Sequence, residues 1–210
     1  MKLYIYEHCP FCMRAQLAAG LKNISCETEV VLEGDFETPE KLIGKKMFPI
    51  LEKQDGTHMG ESLDIVRYLD QLGEPVFEGE GNEAINQWLQ DNWNTICNLI
   101  IPRFTQGQFA ELATPHARQF YRLIEEKAFG NLEALLADSE QYIEQLQPQL
   151  EALAPLIKSH NSVDMTDIKL WPILRSLTIV KGLAFPAEVK SYVENISEKS
   201  KVNLLFNQAA

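Results

Sequence analysis

Two cysteines two residues apart, in Cys9-Pro10-Phe11-Cys12, are the groups of this chain best placed to do chemistry. On the first turn of a helix such a spacing makes a dithiol redox pair. The first thiol sits where unpaired backbone N–H groups point outward and favour its thiolate, and the second sits close enough to close a disulfide. A negative charge at a helix N-terminus gains roughly 0.3–2 kcal/mol, which lowers a thiol pKa from near 8.5 by about 0.2–1.5 units. Cys9 is therefore expected to titrate around neutrality, as the nucleophile, with Cys12 as the resolving thiol. Little nearby in the sequence adds to this: Glu7 opposes the charge, His8 is expected to be neutral at pH 7, and Arg14 lies over a turn away. The expectation is a moderately activated, reducing pair rather than a strong oxidant.

A zinc half-site is the competing reading of Cys-x-x-Cys. It needs about four N or S ligands. Cys26 and Cys97 are isolated, and His8, His58, His116 and His160 show no ligand or triad spacing, so no metal is expected. Cys26 and Cys97 are assigned to packing. Four cysteines in 210 residues are too few for a disulfide-stapled secreted fold, and the start Met1-Lys2-Leu3-Tyr4 lacks the pattern of a signal peptide. A reducing, cytoplasmic setting is expected. The net charge of −11 and a pI near 4.9 argue against nucleic acid and anionic membrane as partners. No apolar run is long enough to span a bilayer.

The elements that must position the dithiol can be read in order. Residues 2–6 are aromatic and β-branched and read as a strand; 10–22 carry helical spacing, with Pro10 suited to the first helical position; 26–32 read as a second strand. Strand–helix–strand implies parallel pairing through a right-handed crossover. Thr38-Pro39 opens a short helix to about Ile43. A strand begins at Pro49-Ile50-Leu51-Glu52, Asp55-Gly56 marks a hairpin, and Thr57-His58-Met59 returns antiparallel. Ser62 is expected to cap a helix that buries Ile65, Val66 and Leu69. Residues 1–72 thus read β-α-β-α-β-β-α, a thioredoxin-like unit, and 73–82 have linker composition. Residues 83–210 show no strand. Trp88, Trp93 and Ile96 lie on a helical stripe that ends at Pro102, and further helices are expected at about 115–129, 131–146, 148–158, 165–181 and 186–198. Pro172 is expected to kink the fifth of these or shift its start.

Two further features flank the dithiol, each with a plain and a functional reading. Pro49 is either an ordinary trans loop proline or a cis proline that turns the Phe48 backbone toward the cysteines. Glu61-Ser62 is either a simple helix start or a helix N-terminus that binds a ligand carboxylate.

Taken together, Cys9 to Cys12, Pro49 and the order of elements resemble the glutaredoxins. The all-helical continuation from Glu83 resembles the C-terminal domain of cytosolic glutathione transferases. Dithiol plus transferase-like architecture is the pattern of the bacterial glutaredoxin 2 family, as are Met1-Lys2-Leu3-Tyr4-Ile5-Tyr6 and the stretch Trp171 to Leu177. The resemblance implies a glutathione-dependent thiol-disulfide oxidoreductase, acting as a monomer on glutathione mixed disulfides and protein disulfides. Glutathione would be its co-substrate, with no permanently bound cofactor. It implies a cis Pro49, with Pro10, Phe11, Phe48 and Pro49 around the cysteinyl part of glutathione and Glu61 and Ser62 at the γ-glutamyl end. Lys22, Lys45 and Lys46 are candidates for its glycine carboxylate or are plain surface charge. Asp164-Met165-Thr166-Asp167 loosely resembles the helix-capping signal of the transferase core, with a folding role. Two departures stand out: Phe11 replaces the commoner tyrosine, and Met47-Phe48 precedes the proline where small glutaredoxins usually carry Thr-Val. The competing functions are a transferase or dehydroascorbate reductase on the same scaffold, against which Cys12 argues, and an iron–sulfur carrier using Cys9 and glutathione.

Overall fold

The computed structural model describes residues 1–210. Strand β1 (Lys2–Ile5) runs into helix α1 (Pro10–Leu21), and β2 (Glu27–Val30) returns parallel to β1, from Lys2 opposite Glu27 to Ile5 opposite Val30. Parallel strands need a crossover, and α1 supplies it. Helix α2 (Glu37–Ile43) leads to the antiparallel pair β3 (Ile50–Glu52) and β4 (His58–Met59). The sheet order is β2-β1-β3-β4, which puts β1 in the interior and β2 at an edge. Helix α3 (Ser62–Asp70) completes this thioredoxin-like half.

The rest of the chain is helical: α4 (Glu83–Phe104), a 3₁₀ turn (Ala110–Leu112), α5 (Pro115–Phe129), α6 (Leu132–Ala137), α7 (Ser139–Ser159), α8 (Met165–Leu177), α9 (Ala187–Ser200) and a second 3₁₀ turn (Phe206–Gln208). Of the 13 residues of α8, all but Lys169 are buried. A helix apolar on every side belongs at the centre of its domain. Its start is held by a complete capping box: the Thr166 N–H donates to Asp164 at 2.6 Å, and the Asp164 N–H donates to Asp167 at 2.8 Å. Tyr192 of α9 adds its hydroxyl to Asp167 at 2.7 Å. The loose match read at Asp164 is thus a true box with aspartate in the leading position. No helix is long and apolar enough to cross a membrane.

The two halves meet along α1, which packs on α3 on one side and on α8 and α9 on another. Cys12, Met13, Ala15, Leu17, Ala18 and Ala19 are buried in consequence. The approach is closest at Gly20, where a Cβ would stand 2.1 Å from the Ser200 carbonyl oxygen. The connector between the halves is fastened rather than loose. Asp70 accepts from the Val76 N–H at 2.9 Å, the Phe77 N–H at 3.0 Å and Lys22 Nζ at 2.9 Å, and Phe77 is buried.

Several sequence expectations are corrected here. The break expected near residue 147 falls at Asp138, and Pro148 and Pro155 lie inside the single helix α7. Pro102 does not end α4, which runs two residues on, and Pro172 does not shift the start of α8. A proline removes one backbone N–H, but packing on several sides holds these helices together. The Thr105 and Ser176 hydroxyls also donate to the Pro102 and Pro172 carbonyls, at 2.6 and 3.0 Å. The expected fifth helix ends at Leu177 rather than 181. At α2 the capping side chain is Asp35, which accepts from the Thr38 N–H at 3.0 Å, so Thr38 is a donor and not the cap. Ser62 is the first residue of α3, and Glu61 before it occupies the cap position with a positive φ of 64° and no side-chain cap.

Candidate active site

The dithiol sits where β1 hands over to α1. Cys9 is the N-cap residue of α1 with extended backbone, and Pro10 takes the first helical position, where its missing N–H costs nothing. Both cysteines are free thiols; Cys9 is part-exposed and Cys12 fully buried. The Tyr6 N–H donates to Cys12 Sγ at 3.4 Å. Hydrogen bonding from the Cys12 thiol lowers the Cys9 pKa most, against the opposing effect of burial. The charge on His8 and the N–H groups of Cys12 and Phe11 lower it further, to about 7. Burial and the charge of its neighbour hold Cys12 well above the ordinary thiol range. At neutral pH the pair therefore consists of a roughly half-ionised nucleophile and a protonated partner.

The activation has the magnitude read from the sequence, but a different origin. His8 is not a free loop residue but is tied to a buried carboxylate. Its backbone N–H and its ring Nδ1 both reach Glu111 Oε1, at 2.8 and 2.7 Å. Burial pulls the imidazole pKa down, yet the hydrogen bond and charge of Glu111 outweigh it, and the net shift is upward. Burial likewise opposes ionisation of Glu111, and His8 more than reverses it, so the carboxyl lies below its usual range. The ring sits among aromatic neighbours: Tyr6 stacked at 5.8 Å, Phe104 at 5.0 Å, Phe109 at 5.8 Å and Tyr121 edge-on at 4.9 Å.

Glu7, expected only to oppose the thiolate, is a structural fastener. Its side chain accepts from the Ala110 N–H at 2.8 Å, and its carbonyl accepts from Arg175 Nη1 at 3.1 Å. Arg175 also donates to the Asn203 carbonyl at 2.7 Å. Burial lowers its pKa to about 10, so it stays charged at neutral pH. The segment entering Cys9 is thus gripped by the 3₁₀ turn and by α8, both from the helical half. Glu111 and Arg175 escaped sequence reading. The available signal was a lone cation inside the apolar stretch Trp171 to Leu177, and a lone carboxylate between Phe109 and Leu112.

The other expected site residues make contacts with the elements that carry the dithiol. The Phe48–Pro49 bond is cis, and the Phe48 ring lies 4.5 Å from that of Tyr6. Ser62 accepts from Arg14 Nη1 at 3.4 Å, tying α3 to α1. Arg14 also lies over the Phe11 ring at 4.7 Å, and Phe11, 40% exposed, approaches Trp93 of α4 at 6.2 Å. An exposed aromatic ring, a cation and a helix N-terminus therefore line one side of the cysteines. The three lysines separate. Lys22 is consumed by the Asp70 and Glu74 carbonyls and the Asp70 carboxylate, with its side chain 7% exposed, and is removed from the candidates. Lys46 pairs with Glu33 at 3.6 Å and lies over the Phe36 and Phe120 rings. Lys45 is exposed and pairs only with Glu61, at 3.4 Å. Cys97 is buried, and burial pushes its pKa up to about 12, in keeping with a packing role.

Comparison with known proteins bears on the family of the chain. The family described as "Glutaredoxin 2, C terminal domain" matches residues 84–209, and "Glutathione S-transferase, N-terminal domain" matches residues 3–76. Glutaredoxin 2 of Escherichia coli strain K12 is 42% identical over 214 residues, covering 100% of both chains. The crystal structure of glutaredoxin 2 from Salmonella typhimurium in complex with glutathione matches with a TM-score of 0.97 and 40% identity, covering 100% of this chain and 98% of that one. Gtt2 of Saccharomyces cerevisiae, at 19% identity and a TM-score of 0.57 over 96% of this chain and 99% of that one, shares the fold. A near-neutral thiolate on a two-cysteine helix start, set in a thioredoxin-like half and backed by transferase-like helices, agrees with these full-length matches: the chain belongs to the glutaredoxin 2 family.

Proposed function

We propose that the chain is a glutathione-dependent thiol-disulfide oxidoreductase with Cys9 as nucleophile and Cys12 as resolving thiol. The observation that carries this reading is the ionisation asymmetry of the pair, with Cys9 near 7 and Cys12 held protonated. At pH 7 roughly half of Cys9 is thiolate, against about 1% for a thiol of pKa 9.

On a glutathione mixed disulfide, the Cys9 thiolate attacks the glutathione sulfur. A Cys9–glutathione disulfide forms, and the client leaves as thiolate and takes up a proton. A second glutathione thiolate then attacks the glutathione sulfur of that bond, releasing oxidised glutathione and the Cys9 thiolate. On a protein disulfide, the Cys9 thiolate attacks one client sulfur, the client S–S bond breaks, and the other client sulfur leaves as a thiolate that takes up a proton. Bonding removes the negative charge at Cys9 that had raised the Cys12 pKa, while the Tyr6 N–H still favours a Cys12 thiolate. Cys12 then loses its proton and attacks Cys9, freeing the client and leaving a Cys9–Cys12 disulfide that two glutathione molecules reduce.

Pro10, Phe11, Phe48 and Pro49 are proposed to hold the cysteinyl part of glutathione, and Glu61 and Ser62 its γ-glutamyl end. The Arg14 contact from α1 to Ser62 at the start of α3, and the Phe48 ring against Tyr6 beside the cis peptide, support this. The Salmonella relative's complex with glutathione supports the same ligand. With Lys22 consumed, Lys45 and Lys46 are the lysines left as candidates for the glycine carboxylate. We further propose the division into residues 1–72, 73–82 and 83–210, action as a monomer and a reducing cytoplasmic setting. The run of sheet-bearing elements to Asp70 and of helices from Glu83 favours that division.

The test is a glutathione-coupled assay on a small mixed disulfide and on a protein disulfide. Wild type reduces both, Cys9→Ser neither, and Cys12→Ser the mixed disulfide alone. Survival of either activity in Cys9→Ser would overturn the assignment.

A further inference from the structure

We propose that Glu111, supplied by the helical half, is a positioning residue for the reaction at Cys9: it holds the His8 ring as an imidazolium beside the nucleophile, so the second half of the chain completes the active site of the first. The proposal rests on Cys9 being the nucleophile.

The geometry comes first. A carboxylate oxygen only accepts hydrogen bonds, so the Nδ1 contact at 2.7 Å requires a proton on Nδ1, which fixes the ring's orientation. The backbone N–H of the same residue meets the same oxygen at 2.8 Å, so Glu111 grips both the ring and the chain leading into Cys9. The other oxygen, Oε2, is buried without a partner, and Glu111 is 0% exposed. A charged Glu111 therefore has the His8 ring and the His8 backbone N–H, both on Oε1, to offset its burial. The aromatic faces around the ring, from β1, α4, the 3₁₀ turn and α5, also favour a cation there.

The remaining charges have consistent signs. Glu33, from the segment after β2, and Glu125, from α5, both interact with His8 in the sense that favours the imidazolium. Arg14 of α1 and Arg175 of α8 interact with Cys9 in the sense that favours the thiolate, and Arg175 also feels Glu7 and Glu111. Lys46 faces Glu33 and Glu125. The buried hydroxyls of Tyr6 and Tyr121 face Cys9 and stay neutral. Of these cationic groups, His8 adjoins Cys9 in the chain, and its protonation is in the hands of Glu111.

The experiment is the rate of Cys9 alkylation by iodoacetamide against pH, read by peptide mass on the full chain, for wild type, Glu111→Gln, His8→Gln and the double variant. The glutamine amide oxygen keeps both acceptor contacts, while the charge is removed and an NH2 group takes the place of Oε2. Glu111→Gln is expected to move the inflection up by about one pH unit, a tenfold change in the thiolate-to-thiol ratio. His8→Gln should do the same, and the double variant no more than either, since both act through one ion. An unmoved inflection in folded Glu111→Gln, even with a lower melting temperature, overturns the proposal. A wild-type measurement stands beside it should the variants fail to fold: the NMR titration of the His8 ring. A charged ring at pH 7 supports the proposal and a neutral one overturns it. Turnover surviving in Cys9→Ser would instead overturn the choice of nucleophile, a separate result.

Discussion

Replacing Cys12 with alanine and with serine separates its two duties. In the reduced enzyme the Cys12 thiol is the strongest influence lowering the Cys9 pKa, ahead of the His8 charge and the helix N–H groups. A hydrogen bond to a charged group is worth about 1.5–3 kcal/mol, and 1.36 kcal/mol corresponds to one pKa unit. Cys12→Ala should therefore raise Cys9 by about one to two units, from about 7 to about 8–9. At pH 7 the thiolate fraction then falls roughly 5- to 50-fold. The more basic thiolate is a better nucleophile, with a Brønsted slope of about 0.4–0.5, so the alkylation rate should fall only about 2- to 6-fold. Cys12→Ser keeps a donor at the same place and should leave the inflection near 7. Both variants lose the resolving step equally. The assay is the pH profile of iodoacetamide alkylation at Cys9. Equal inflections in the alanine and serine variants would refute the idea that the second thiol activates the first.

Three further outcomes are expected. Gly20→Ala should destabilise the protein by about 1–3 kcal/mol in denaturant unfolding, because the new Cβ meets the Ser200 carbonyl oxygen at 2.1 Å. In an open helix the same change would stabilise by about 1 kcal/mol, so the sign decides. Asp164→Ala should cost about 1 kcal/mol through the lost cap of α8 and leave Cys9 alkylation unchanged, as unfolding and alkylation measured on one sample would check. The stability difference between wild type and Glu111→Gln should be greatest between about pH 5 and 6.5. The raised His8 contributes fully below its unfolded value of 6.5 and loses that contribution as pH climbs through its folded one. The depressed Glu111 contributes above its unfolded 4.5 and loses it as pH falls through its folded value. Unfolding curves across pH 4 to 9 test it, and a difference flat in pH would contradict the ion pair.

The thioredoxin-like half was legible because its signals are local. The β1 pattern, Pro10 at the helix start, Asp55-Gly56 and the apolar face of α3 each act within a few residues. The helix bounds of the second half were less so. Pro102 read as a helix end, the stretch before Pro148 as a break and Pro172 as a kink or a shifted start, while packing keeps α4, α7 and α8 running through them. The pairing of His8 with Glu111 was out of reach for a plain reason: the two lie 103 residues apart, and no spacing rule links such positions. Lys22 shows the opposite error. A cation near the dithiol in sequence is spent at the far end of α1, on the Asp70 carboxylate and two carbonyls.

The strap on Glu7 and His8 also sets an order in time. Glu111 is made 103 residues after His8, and Arg175 168 residues after Glu7. At about 5–20 residues per second, translation carries Cys9 for roughly 5–20 s without a counter-ion for its histidine. The activation of Cys9 is thus assembled in two stages: the Cys12 thiol and the α1 N–H groups belong to the first half, and the grip of Glu111 on His8 is added only when the helices arrive.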